Sequence, residues 1–300
     1  MFDDIPGYAF VDILPIEKGV SGDKKYRVKT TDNRLMLLRI SDISELERKK
    51  TMFGMMESVA ALGVPMSSPI QFGTCNSGKN VFQLLSWCDG DTADVILPSL
   101  SENQQYQLGF RAGEILRDIH TIPAPNGLTN WYNRYISKND ERVKAFLNCG
   151  VKFDGSDLLY TIYEQDKDLL YDRPQCFTHG DYHCDNLMVS DNMEISVIDW
   201  DLFDDNIFGD PWHEFTRILN ADVIPHFTTG MLCGYFGDEP PKEFWRLLRF
   251  YFCAGVLQLV SWSVYVEPSY LEECKQTAHN VLSWYDSMRS ITPSWYIKHH

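Results

Sequence analysis

The chain has 300 residues, which at roughly 150 residues per domain is one large or two modest domains with full cores. Its 44% hydrophobic, 23% charged and 13% aromatic residues exclude a disordered or fibrous protein. A formal charge of -15 opposes attraction to nucleic acid or an anionic membrane and favours a cationic small molecule as partner.

The first third reads as a small antiparallel sheet. Residues 8–16, 25–31 and 35–40 are short β-branched or aromatic runs, separated by Gly19, Gly22 and a Thr31-Asp32-Asn33 turn. Residues 44–62 place Leu46, Met52, Phe53, Met56, Val59 and Ala60 at helical spacing and end at Gly63 before Pro65. Strand character resumes at 70–72 and 81–87. Beyond Asp89 helices dominate: Ser101 is an N-cap, and Leu108, Ala112, Ile115, Leu116 and Ile119 share a face. Residues 127–170 read as further helix and loop. Short strands follow at 175–178, 187–189 and 195–198, and after Asp210-Pro211 a helical bundle runs to about residue 289.

No export signal is expected, since Asp3 and Asp4 stand where basic residues would be needed. The longest uncharged stretch, 250–266, contains Gln258, Ser261 and Ser263 and is expected to be a core helix. The eight cysteines are scattered with no C-x-x-C pair, as reduced thiols of a cytoplasmic protein would be.

The chemistry concentrates in residues 176–201, CFTHGDYHCDNLMVSDNMEISVIDWD. Asp181 and Asn186 share a loop between strands, and Asp199 ends the apolar run 195–198, so three oxygen-bearing side chains can converge. Such hard donors suit Mg²⁺ accompanying a nucleotide's phosphates, and phosphoryl transfer asks for little more than an orienting carboxylate, metal and phosphate-holding donors. His179, Asp181, His183, Cys184 and Asp185 match no common zinc spacing, and Asp199 fits magnesium better.

His179-Gly180-Asp181, Asn186, Ile198-Asp199 and Gly209-Asp210-Pro211, in this order and spacing, resemble the aminoglycoside phosphotransferase family, small-molecule kinases of the protein-kinase-like fold. The resemblance implies an α+β, two-lobed fold: a β-rich N-lobe over 1–88 and a mainly helical C-lobe over 89–300. It implies that Asp181 is the catalytic carboxylate, that Asn186 and Asp199 hold Mg²⁺, that Gly180 makes the loop's close turn and that His179 braces the loop. Residues 18–28 are similar to the phosphate-covering hairpin, which implicates Gly19, Ser21, Gly22, Asp23 and Lys24. The family's third strand carries a phosphate-gripping lysine paired with a helix glutamate. Here that position is Arg39, which keeps the charge but not the geometry, with Glu47 preferred to Glu45 as its partner. The strand ending at Ser86 and Cys88 matches the hinge that holds the base of ATP or GTP.

The implied reaction is transfer of the γ-phosphate to a hydroxyl of a small, cationic acceptor such as an aminoglycoside, with a metabolic kinase for choline, a sugar, homoserine or a macrolide as the alternative. A non-catalytic nucleotide-binding module is the alternative of another class. Asp210 reads as the N-cap of the element opening at Pro211, and His120 as a helix-end histidine. Asp201, Asp204, Asp205 and Glu214 fit either an acceptor pocket or a solvated acidic loop. Trp200, Trp212, Trp245, Trp262, Trp284, Tyr251 and Tyr265 are expected mostly in the core.

Overall fold

The computed structural model describes residues 4–17, 22–200, 207–218 and 222–298. Gly19 and Ser21 of the glycine-containing turn, and the acidic residues Asp201, Asp204 and Asp205, lie outside the described residues. The elements, in chain order, begin β1 (Phe10–Ile16), β2 (Lys24–Thr30), β3 (Leu35–Asp42), α1 (Leu46–Ala61), β4 (Pro69–Cys75), β5 (Asn80–Ser86) and β6 (Asp91–Thr92). They continue α2 (Ala93–Ile96), α3 (Glu102–Ile119), α4 (Trp131–Asn148), α5 (Ser156–Asp166), β7 (Cys176–Phe177), β8 (Leu187–Val189), β9 (Ile195–Val197) and β10 (Phe208–Gly209). The last helices are α6 (Pro225–Phe236), α7 (Lys242–Tyr265) and α8 (Leu271–Trp284).

Two compact units result, Met1–Pro98 with Cys184–Phe203, and Ser99–His183 with Asp204–His300. This differs from a single cut near residue 88. The reason is strand pairing: β6 pairs with β8 and β8 with β9, while Ser67 N–H donates to the Val197 carbonyl at 2.9 Å. Residues 184–200 therefore fold with the N-terminal unit.

The first unit contains a five-stranded antiparallel sheet in the order β1-β2-β3-β5-β4. The alternation of β3 separates its chemistry. Met36, Leu38 and Ile40 enter an apolar cluster with Val28, Phe82 and Leu84, whereas Arg39 and Ser41, one residue out of phase, belong to the other face. A short 3₁₀ turn over Ile43–Glu45, capped by the Asp42 carboxylate accepting the Ser44 N–H at 2.9 Å, leads into α1. The buried stripe of α1 is Lys49, Met52, Phe53, Met56 and Val59.

The second unit is mainly helical. Its α7, long and apolar enough by composition to cross a membrane, is for the most part buried in the protein core, as expected for residues 250–266. Trp200, Trp245, Trp284 and Tyr251 are buried as expected, but Trp262 and Tyr265 are exposed. The residues after Pro211 form a seven-residue 3₁₀ segment, Pro211–Arg217, rather than an α-helix. Asp210 caps it, accepting the Trp212 N–H at 3.0 Å, and also receives a bidentate pair from Arg173 at 2.8 and 2.9 Å and the Tyr251 hydroxyl at 2.7 Å.

Helices α3 and α6 cross with glycine on both sides. A Cβ at Gly109, Gly113, Gly230 or Gly234 would lie about 2 Å from a carbonyl oxygen of the facing helix, inside any permitted contact. Gly113→Ala is therefore expected to destabilise the protein by about 1–3 kcal/mol through overpacking, although alanine is the better helix former by about 1 kcal/mol. Gly255→Ala on α7, where no atom lies within 4 Å of the added Cβ, is expected to raise the melting temperature. Thermal denaturation of the two variants checks both signs.

Candidate active site

In the first unit the site is built on the second face of the sheet. Asp23, just before β2, accepts Arg39 Nε at 3.0 Å, Arg39 Nη2 at 2.7 Å and Lys49 Nζ at 2.5 Å on one oxygen. Its other oxygen accepts the Ser41 hydroxyl at 2.7 Å. Burial works against the Asp23 charge, but Arg39 and the hydrogen bonds of Lys49 and Ser41 outweigh it and hold the pKa well below the usual carboxylate range. Arg39 lies opposite Lys25 on β2 and Gln83 on β5. Its Nη1 reaches Asp199 at 3.1 Å, and Lys25 Nζ stands 3.6 Å from the same carboxylate. Lys24, the first residue of β2, is exposed.

The helix partner expected for Arg39 is corrected by this arrangement. Glu47 is exposed and Glu45 pairs with Arg48 at 2.6 Å. The inward position is Lys49, three and four residues before Met52 and Phe53. Glu47 is two residues out of that phase and so faces solvent.

Asn186 and Asp199 flank the open end of the β8–β9 hairpin. Leu187 pairs with Val197, and the Ile198 N–H donates to the Asn186 carbonyl at 3.0 Å, so Asn186 stands opposite Ile198 and Asp199 follows as the next residue. Asn186 is buried, and Asp199 holds a left-handed backbone with φ of +60°, a costly conformation that recurs at functional sites. An amide oxygen and a carboxylate so placed are a hard-oxygen donor set that fits Mg²⁺. The transition-metal alternative does not fit. Among the described residues no three His, Cys, Asp or Glu side chains gather as a metal group, and burial pushes the Cys184 thiol up to about 12.

At the expected hinge, Ser86 is committed within the unit: its N–H donates to the Ser68 carbonyl and its carbonyl accepts the Ser67 hydroxyl. That N–H is thus not available to a base. Cys88 is half-buried, its thiol pushed up to about 11 by burial despite a hydrogen bond with Ser196.

In the second unit the loop after β7 carries Asp181. Gly180, at φ of +80°, turns the chain where an L side chain would be strained. His179 is buried, and its Nδ1 accepts the Asp181 N–H at 3.3 Å. The Asp181 carboxylate is half exposed, 3.2 Å from His183 Nε2 and 3.9 Å from Arg217 Nε. Arg217 also donates to the Gly180 carbonyl at 2.9 Å. The His183 hydrogen bond, opposed by burial and aided by the charges of His183 and Arg217, lowers the Asp181 pKa, so this group is an anion at neutral pH.

Beneath the loop lies a brace that sequence reasoning missed. Glu214 is buried rather than solvated, and its Oε1 accepts the Tyr182 N–H at 3.4 Å. Its Oε2 stands 3.6 Å from Nε2 of His120, whose Nδ1 meets the Tyr235 hydroxyl at 2.9 Å. Burial penalises the Glu214 charge, but His120, His179 and Arg217 more than offset this and lower its pKa. The Tyr182 hydroxyl donates to the Ala112 carbonyl of α3 at 2.7 Å. The one sequence signal for this brace was a glutamate three residues after the proline that opens the turn, which by itself reads equally as surface.

A family model described as the phosphotransferase enzyme family, APH, matches residues 12–245. No curated protein sequence matches the chain significantly. Solved structures share its kinase-like fold. The GDP complex of wild-type aminoglycoside 2'-phosphotransferase-IIIa is 12% identical over 93% of this chain and 94% of its own, with a TM-score of 0.67. Spectinomycin phosphotransferase APH(9)-Ia, with ADP and spectinomycin, is 16% identical over 91% and 90%, at 0.59. Amicoumacin kinase hAmiN, with AMP-PNP, Ca²⁺ and its antibiotic, is 14% identical over 95% and 92%, at 0.58.

His213, next to Glu214, is packed against the rings of Trp131, Tyr135 and Tyr251, with centroids 4.8–5.7 Å away. Burial in this aromatic cage lowers its pKa to about 4, against a raising influence from Asp210. The unfolded chain takes up this proton first. Stability is therefore complete above the unfolded value of about 6.5 and is lost as pH falls from there toward about 4, by at most about 1.4 kcal/mol per pH unit. Melting temperatures between pH 7 and 4 are expected to show this limb, and His213→Phe is expected to flatten it.

Proposed function

We propose, from the premise that the chain belongs to the phosphotransferase enzyme family, that it transfers the γ-phosphate of ATP or GTP to a hydroxyl of a small cationic acceptor of the aminoglycoside-antibiotic type, with Mg²⁺. The observation that carries this reading is the open end of the β8–β9 hairpin, where Asn186 lies opposite Ile198 and the next residue, Asp199, has Lys25 and Arg39 at its carboxylate. It offers metal-binding oxygens and phosphate-binding cations within one unit. Neighbours of the same fold carry AMP-PNP, ADP or GDP, and antibiotic acceptors in two of the three cases above. The net charge of -15 supports a cationic acceptor. The eight cysteines, all free thiols, support a reducing, cytoplasmic setting.

Each residue has a limited task in this reading. Asp181, anionic and oriented by His183 and the His179 brace, accepts the hydrogen bond of the acceptor hydroxyl and takes its proton as the new O–P bond forms and the bond to the leaving nucleoside diphosphate breaks. Arg39 and Lys25 draw the phosphate oxygens. Magnesium, when bound by Asn186 and Asp199, supplies neutralisation of phosphate charge. Glu214 and His120 hold the loop from below.

Release of ADP or GDP, measured with Mg²⁺ against aminoglycosides, macrolides and amino alcohols, tests the proposal. Turnover stimulated by one cationic antibiotic class is expected. Asp181→Asn is expected to lower kcat by about 10²–10⁴-fold with nucleotide binding retained. Stimulation by choline or homoserine alone would assign a metabolic kinase, and nucleotide binding with no turnover on any acceptor would favour the non-catalytic module.

A further inference from the structure

Resting on the phosphotransferase reading, we propose that Asp23 and Lys49 are positioning residues for the phosphate-gripping Arg39, forming a buried cation–carboxylate–cation bridge where the family's strand lysine and helix glutamate would pair. The α1 side chain directed at this site is a cation. Lys49 is fully buried, and its ammonium lies 2.5 Å from the Asp23 carboxylate. A buried lysine is rare without a strong anionic partner. The carboxylate comes from the residue just before β2 instead of the helix.

The geometry gives this exchange a purpose. Arginine is longer than lysine and presents a planar fork with more than one edge. Asp23 takes the edge formed by Nε and Nη2, at 3.0 and 2.7 Å, which fixes the plane of the group and directs Nη1 to the Asp199 carboxylate at 3.1 Å. One nitrogen of the fork is thereby aimed as a lysine ammonium would be. Asp23 alone would cancel the Arg39 charge. Lys49 supplies the second cation, so the bridge retains a net positive charge for phosphate, and the Ser41 hydroxyl at 2.7 Å fixes the second carboxylate oxygen. Arginine on the strand, aspartate before β2 and lysine on the helix thus form one unit in which each residue requires the other two.

The test measures ATP and GTP binding, beside adenosine and guanosine, to the full-length protein in MgCl₂ by calorimetry, with melting temperature as a check on folding. The double variant Asp23→Asn/Lys49→Met removes one charge of each sign at similar volume. It is expected to weaken triphosphate binding about tenfold and leave nucleoside binding within about twofold, the split that separates phosphate positioning from general loosening. Arg39→Lys is expected to cost about tenfold in the native background and less than about threefold in the double variant, where the arginine is no longer held. Triphosphate binding unchanged in the double variant, or nucleoside and triphosphate weakened alike, would overturn the proposal. Should the double variant fail to fold, Ser41→Ala decides: about a threefold loss for triphosphate alone supports the bridge, and no loss overturns it. Wild-type protein that binds neither triphosphate overturns the phosphotransferase reading as well, whereas wild-type binding with unaltered variants overturns only the bridge.

Discussion

The loop that carries Asp181 depends on how closely two helices approach. Glycines 109 and 113 of α3 and 230 and 234 of α6 leave no room for a side chain, so backbone meets backbone along the crossing. That contact fixes the Ala112 carbonyl, which receives the Tyr182 hydroxyl, and brings His120, the residue after α3, beside Tyr235 of α6. His120 in turn meets Glu214, which accepts the N–H next to Asp181. A packing constraint among the smallest residues is passed on, through four polar side chains, to the carboxylate that would face the acceptor. Changes along the crossing would be felt there as loss of orientation, a form of damage to which proximity-based catalysis is sensitive.

Buried carboxylates are used throughout as junctions with several donors. Asp210 joins Arg173, Tyr251 and the Trp212 N–H, and Asp166 joins Arg246 and Arg249. Asp23 joins Arg39, Lys49 and Ser41. Each has enough donors to offset the cost of dehydrating its charge, and loss of any one partner would leave the rest buried and uncompensated. Such junctions tie together residues far apart in sequence, 83 positions for Asp166 and Arg249.

Much of this was legible in the chain. The strands of the first unit, α1 and the β8–β9 hairpin follow from alternation and turn residues, and the spacing of His179, Asp181, Asn186 and Asp199 led to the candidate site. The α1 side chain facing the Arg39 site was missed because charge type outweighed helical phase. A glutamate was sought, whereas Met52, Phe53 and Met56 already set the inward stripe, and extending it back one turn lands on Lys49. Glu214 and His120 gave no such signal, since their roles arise from contacts among segments distant in sequence. The division at residue 88 failed to anticipate that a two-residue strand at Asp91–Thr92 would capture the β8–β9 hairpin. Short strands carry too little pattern to be read without their partners.

The cluster around Asp23 also bears on how salt would act on the two substrates. Among the described groups, Lys25, Arg39 and Lys49 set against Asp23 and Asp199 carry one positive charge in excess, in a chain whose net charge is -15. The cations that would meet a polyanion are largely withdrawn from water, where counter-ions screen poorly, whereas the negative field that would draw a cationic acceptor arises from exposed carboxylates and fades beyond a Debye length of about 8 Å at physiological ionic strength. Rising ionic strength would accordingly slow capture of the acceptor while leaving the grip on phosphate comparatively intact.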